Sequence, residues 1–187
     1  MQLLSLGGLT PATIPCLETP ALRLRGPRPA DLAAAFALHQ QPAFYRYLGN
    51  KPGDEETTWR RLLAQMGHWA MLGYGSWAIE EKATSRFVGT VGFFDMQRDL
   101  TPSLKGNPEA GWVLDPRLHG RGYASQALQA ALAWADEHLP ASRTTCIIDP
   151  DNEASLRLAR KFGYQEFARS PYQGQEIILL ERRRPQQ

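Results

Sequence analysis

The stretch Asp115-Pro116-Arg117-Leu118-His119-Gly120-Arg121-Gly122-Tyr123-Ala124-Ser125 decides how the rest of the chain is read. Before it stands Gly111-Trp112-Val113-Leu114, a short apolar run that Asp115-Pro116 closes. After it comes an alanine-rich run reaching Leu139, in which Ala124, Ala127, Leu128, Ala131, Leu132 and Trp134 recur at helical spacing. Small residues on that face let a helix lie close against a sheet. The segment therefore predicts a buried strand, a glycine turn and a long helix. Glycine lets the backbone turn sharply and come near a ligand. The first N–H groups of a helix have no partner within it, and with the helix dipole they suit a phosphate or diphosphate. Arg121 adds a positive charge beside the same anion.

Two familiar phosphate cradles do not match. A Walker loop needs G-x-x-x-x-G-K-S/T, and the chain has no such run. A dinucleotide fingerprint needs G-x-G-x-x-G after the first strand of a βαβ unit, and Ser125 stands where its third glycine belongs. A turn that binds nothing stays open as an alternative, as does a nucleotide site for ATP or NAD.

Outward from this segment, short strands alternate with helices. Leu22 and Leu24 among arginines read as a half-buried strand. Pro29-Ala30-Asp31 opens a helix carrying Leu32, Phe36 and His39 on one face, and Pro42 stops it. Asp54-Glu55-Glu56 start a second helix through Trp59, Leu62, Leu63, Met66, Trp69 and Ala70, ended at Gly73 and Gly75. Trp77, Ile79, Phe87, Val88, Val91, Phe93 and Phe94 are β-formers, with Lys82 to Ser85 as a hairpin turn. Arg98 to Pro108 reads as a surface loop. Thr144 to Ile148 is a strand without charges, as expected where both faces are covered. Asp149-Pro150-Asp151-Asn152 is a turn and helix cap, Glu153 to Phe162 a helix, and Tyr164 to Ala168 with Glu176 to Leu180 a last hairpin. Three consecutive central strands argue against a strictly alternating parallel sheet. The expected class is α+β, with a mixed, mostly antiparallel central sheet flanked by helices.

With 187 residues the chain makes one domain, and 43% hydrophobic against 21% charged residues is ordinary globular usage. We expect an irregular N-terminal tail over 1–20, a single domain over 21–182 and a C-terminal tail over 183–187. A net charge of +2 gives no argument for a nucleic-acid partner. No apolar run approaches the roughly 20 residues that span a bilayer, and Met1 to Pro15 has no basic residue ahead of its apolar part, unlike a secretory signal. Cys16 and Cys146 stand far apart, so a disulfide scaffold and a cysteine-rich zinc site are excluded, and reduced thiols in a cytoplasmic protein are the simplest reading. His39, His68, His119 and His138 show no paired ligand spacing, so no metal is expected.

Asp115-Pro116 with His119-Gly120-Arg121-Gly122-Tyr123-Ala124 resembles the acetyl-coenzyme A signature of the GNAT superfamily of N-acetyltransferases, Q/R-x-x-G-x-G/A. Two frames fit, Arg117-x-x-Gly120-x-Gly122 and His119-x-x-Gly122-x-Ala124. The second runs directly into the helix, with His119 in place of the usual Gln or Arg. Leu22 to Arg25, Gly89, Glu109 to Leu114, Asn152 with Ser155, and Lys161-Phe162-Gly163-Tyr164 fit the family at matching intervals, over about residues 20 to 182. Gly-Arg-Gly-Tyr-Ala with Asp-Asn-x-x-Ser is similar to the branch holding the ribosomal-protein N-terminal acetyltransferases.

The resemblance implies two central strands splayed to admit acetyl-CoA as co-substrate. Backbone groups of Trp112, Val113 and Leu114 would pair with the pantetheine arm, and amides from Gly120 to Ser125, in a site with His119, Arg121, Tyr123, Ala124, Asn152 and Ser155, would hold the coenzyme. An amide near Leu114 would polarise the thioester, and an amine would attack directly. Glu109 matches a position that family members use as base. The usual acid, a tyrosine seven residues after the capping asparagine, is replaced by Ala159, which makes Ser155 the substitute and Tyr164 a core residue. Asn152 and Ser155 are also plain helix-capping types. Tyr45, Tyr47, Trp59, Trp69, Tyr74 and Trp77 are candidates to line the acceptor pocket. The acceptor stays open between a protein N-terminus and small-molecule amines, and the assembly between monomer and homodimer. A non-catalytic acyl-CoA sensor on the same fold is the alternative function.

Overall fold

The structure is a computed structural model that describes residues 14–47 and 51–185. Its elements run β1 (Leu17–Glu18), β2 (Leu22–Arg25), α1 (Leu32–His39), α2 (Pro42–Tyr45), α3 (Glu55–Leu72), β3 (Ser76–Glu81), β4 (Arg86–Phe94), β5 (Glu109–Leu114), α4 (Tyr123–His138), β6 (Arg143–Ile148), α5 (Glu153–Lys161), β7 (Gln165–Tyr172) and β8 (Gln175–Arg183). The eight strands form one sheet in the order β1-β2-β3-β4-β5-β6-β8-β7. Every neighbouring pair is antiparallel except β5 with β6. The expected mixed α+β sheet is what forms.

Local chemistry sets the boundaries. Asp54 caps α3 by accepting the Thr57 N–H at 2.6 Å, and Gly73, at φ 74°, ends it in the left-handed region. Pro42 both stops α1 and starts α2, since a proline suits a first helical turn. The lead-in is shorter than expected: Ile14 is buried in the core and Leu17–Glu18 already pair with β2. Residues 1–13 of the expected tail lie outside the described residues. At the other end β8 continues to Arg183, and the Arg184 N–H still bonds to Ser142 C=O.

The main core lies between the sheet and α4. Trp69, Trp77 and Trp134 meet there edge to face, with centroids 4.9 to 5.4 Å apart. Trp69 and Trp77 are therefore core residues and leave the list of acceptor-pocket candidates. A second, smaller cluster covers the other face, where Leu100 and Leu104 pack on Ile177 and Leu179. The expected surface loop Arg98 to Pro108 is thus pinned to the sheet by two buried leucines. The two faces place α4 and α5 on one side of the central strands and this loop on the other.

Candidate active site

β5 and β6 touch at one register pair only, Glu109 with Thr145. The Thr145 N–H donates to Pro108 C=O at 2.9 Å, and beyond that point the strands part. Asp115 donates its N–H to Val88 C=O at 2.8 Å, which fixes the alternation along the strand. In an antiparallel ladder every second residue faces its partner. Glu109, Gly111 and Val113 therefore turn their amides and carbonyls toward β4. Ala110, Trp112 and Leu114 turn theirs toward β6, and past Ala110 no strand stands opposite. The wedge is open, and two of the three expected backbone positions line it. Val113 is the correction: its main-chain groups belong to the ladder with Thr90, because a one-residue step reverses the direction of the N–H.

The turn after β5 is built by Asp115. Its carboxylate accepts the Arg117 N–H at 3.0 Å and holds a single 3-10 turn over Pro116–Leu118. The Arg117 side chain forks onto the same carboxylate at 2.6 to 3.1 Å and keeps it below the usual carboxylate range. His119 spends its amide on Pro116 C=O, so any contribution it makes is through its exposed ring. Gly120 and Gly122 then take φ of 79° and 75°. Among the described residues, the N–H groups of Gly120, Arg121, Gly122, Tyr123, Ala124 and Ser125 donate to no protein acceptor. His119 to Gly122 are exposed and Tyr123 to Ser125 half-buried, so these six amides lie open beside the wedge.

Charges around the cradle differ from the expectation in detail. The Arg121 guanidinium is 3.8 Å from Glu81, a carboxylate that hydrogen bonds from Thr84 and Tyr123 hold below its ordinary range. Lys161, at the end of α5, donates to Ser125 Oγ at 3.1 Å and brings a cation to the same mouth. Sequence reading missed it as a cradle residue, because only the packing of α5 beside α4 joins positions 125 and 161.

At the wedge apex Glu109 is 4% exposed. Arg98, from the loop after β4, gives it three hydrogen bonds: Nε to Oε1 at 3.1 Å and to Oε2 at 2.9 Å, and Nη2 to Oε1 at 3.0 Å. A carboxylate offers about four lone-pair positions, so one position remains, on Oε2. Arg98 is fixed in turn by Tyr172 of β7, which accepts from Nη1 at 2.6 Å and lies under the guanidinium at 5.1 Å. Thr145, the register partner of Glu109, is fully buried, and its Oγ1 has no partner among the described residues.

Across the wedge, Asn152 caps α5 and accepts the Ser155 N–H at 3.1 Å. Ser155 is half-buried and its hydroxyl makes no hydrogen bond among the described residues. Ala159 is wholly buried, and Tyr164 is a core residue whose hydroxyl pairs with Thr144 Oγ1 at 2.7 Å and whose ionisation burial pushes far up. Of the acceptor aromatics, Tyr47 donates to Asp151 C=O at 3.1 Å and so stands beside this cap. Tyr45, Trp59 and Tyr74 are half-buried elsewhere on the surface. Among the described residues no group of three or more His, Cys, Asp or Glu could hold a metal ion.

Residues 21–165 match the family described as the acetyltransferase (GNAT) domain. The chain is 28% identical over 156 residues to the Bacillus subtilis (strain 168) protein called uncharacterized N-acetyltransferase YoaA, covering 81% of this chain and 84% of that one. It is similar to the solved acetyltransferase from Agrobacterium tumefaciens str. C58, at 27% identity and TM-score 0.77 over 90% of this chain and 94% of the other. It also shares its fold with RimL, a ribosomal L7/L12 α-N-protein acetyltransferase solved with coenzyme A, at 18% identity and TM-score 0.72 over 90% and 98% of the two chains.

Proposed function

The chain belongs to the GNAT acetyltransferase family, an acyltransferase by descent, and from that premise we propose that it moves the acetyl group of acetyl-CoA to a primary amine by direct attack in a ternary complex. The observation that carries this reading is the wedge between β5 and β6, open past one register pair and flanked by six unspent amides. The diphosphate takes those amides, helped by Lys161 and Arg121. The pantetheine arm completes the sheet like an added strand, using Trp112 and Leu114. Leu114 lies nearer the cradle and Trp112 nearer the apex, so the thioester at the end of the arm comes to the apex. The amide that polarises its carbonyl as charge develops on oxygen is then Trp112's, at the apex end, in place of the one expected near Leu114.

The attacking nitrogen must be neutral. An α-amino group has a pKa of about 8 and a lysine about 10.4, so a proton has to be accepted near the apex. Glu109 is the acceptor we propose, supported by the one lone pair that Arg98 leaves open. Ser155, with its free hydroxyl at the start of α5, is the donor proposed for the departing thiolate. The acceptor is a protein N-terminus or a small-molecule amine, taken up beside Tyr47 and the α5 cap. We place the enzyme in the cytoplasm on its unpaired Cys16 and Cys146; among the described residues no helix is long and apolar enough to cross a membrane.

The test is a melting scan followed by turnover. Acetyl-CoA at about 100 times its dissociation constant stabilises the native state by about 2.7 kcal/mol, which for a domain of this size raises Tm by roughly 5 to 10 °C. ATP and NADH should leave Tm unchanged; a shift with either of them and none with acetyl-CoA overturns the proposal. Thiol release is then measured with polyamines, amino acids, aminoglycosides and peptides with free N-termini. Binding without release from any of these would favour the sensor function.

A further inference from the structure

Thr145 carries a buried hydroxyl with nothing to bond to, at the one point where the two halves of the sheet meet. A buried polar atom left alone is destabilising, and such atoms are nearly always satisfied by protein or by an ordered water. Register partners in a parallel pair send their side chains to the same face, so Thr145 Oγ1 and the Glu109 carboxylate rise side by side. The alternation agrees: Cys146 and Ile148 belong to the main core and Thr144 bonds to its Tyr164, while Ile147 packs on the second cluster with Tyr172, which sets Thr145 on that same face. Arg98 and Tyr172 hold the carboxylate so that its single open position, on Oε2, is the one left for a further donor.

We propose that Thr145 is a positioning residue, and that its hydroxyl and Glu109 Oε2 together hold a water that carries the proton away from the acceptor amine. A buried water needs two to four polar partners; the hydroxyl and the carboxylate supply two, and the incoming ammonium the third. In the step itself the ammonium N–H gives its proton to this water as the water gives one to Oε2. The freed nitrogen lone pair forms the C–N bond, the C–S bond breaks with its electron pair, and the proton the nitrogen must still lose to become an amide goes through the Ser155 hydroxyl to the thiolate, so that free coenzyme thiol leaves. Solvent later takes the proton from Glu109. The proposal rests on the acetyl-transfer reading, and it assigns to Thr145 and Arg98 work that the coenzyme cradle does not require.

Thr145→Val keeps the shape and removes the hydroxyl. A purely structural threonine predicts unchanged turnover and an equal or higher Tm, since an orphaned polar atom has been deleted. The relay predicts the same Tm, a KM for acetyl-CoA within about twofold, and kcat lower by about tenfold or more, in the range of lost acid–base assistance. Thr145→Ser should recover most of the rate. In a Glu109→Gln background Thr145→Val should add less than about twofold, because both changes cut one path; losses that multiply overturn the proposal, as does a wild-type kcat in Thr145→Val. A crystal structure with acetyl-CoA at about 1.5 Å decides the placement without any acceptor: a water within about 3.2 Å of both Thr145 Oγ1 and Glu109 Oε2 is expected, and a dry contact between them sinks the relay even if acetyl transfer is confirmed.

Discussion

Gly120 and Gly122 sit in left-handed backbone with open space where a Cβ would stand, so what these positions demand is conformation and not room. Gly122→Val forces a β-branched residue into that region, at a cost of about 1 to 2 kcal/mol. We expect the turn to relax instead of the fold: the KM for acetyl-CoA should rise about tenfold or more while Tm falls only a few degrees. Glu109→Gln tests the other end of the site, with kcat falling about a hundredfold and acetyl-CoA affinity within twofold by calorimetry. At this scale the cradle was legible because it is local: strand, glycine turn and helix start are consecutive. The partners of Glu109 were not. Arg98 lies 11 positions before it and 74 before Tyr172, and no spacing rule links a loop arginine, a strand carboxylate and a phenol on an edge strand. The same holds for Val113, whose removal from the wedge follows from a ladder phase that composition does not encode.

Elements were read well where a cap or a breaker sits in the sequence, as with Asp54, Gly73 and the turn before β4. They were read short where tertiary pairing overrides a breaker. β7 runs on to Tyr172 through Pro171, which an edge strand tolerates because one side of it has no ladder to serve. Trp69 and Trp77 go to the core for a related reason: helical spacing for Trp69 and strand alternation for Trp77 say which residues share a face, but not whether that face meets a pocket or a core. The helical layer carries its own titration. His39 at the end of α1 bonds to Thr58 of α3 at 2.9 Å and packs 4.7 Å from the Phe44 ring, and burial, with Arg61 nearby, lowers its pKa to about 4. The unfolded chain takes up a proton near pH 6.5 that the native ring refuses until about 4. Stability is therefore full above about pH 7 and is lost as pH falls through that window. Melting curves should show Tm falling several degrees more from pH 7 to 4.5 in the wild type than in His39→Gln; parallel curves would remove His39 from the account.

Over the whole molecule, the strand order and the single parallel contact make two half-sheets, β1 to β5 and β6 to β8, joined at Glu109 and Thr145. The class of sheet could be inferred from the order of elements; where the strands part could not be read from the residues themselves, since Gly111 to Leu114 look like any buried strand. Amide exchange checks the arrangement directly. Trp112 and Leu114 should exchange freely in the unliganded protein and slow by about a hundredfold or more with acetyl-CoA, while Val113 stays protected in both. Fast exchange at Val113 would reverse the phase assigned to β5. The same parting has a cost that concerns neither rate nor specificity. A sheet rim with idle hydrogen-bonding groups is a template for foreign strands. On the function proposed above the pantetheine arm covers that rim, so the empty protein should clump faster than the coenzyme-loaded one when light scattering is followed at equal temperature.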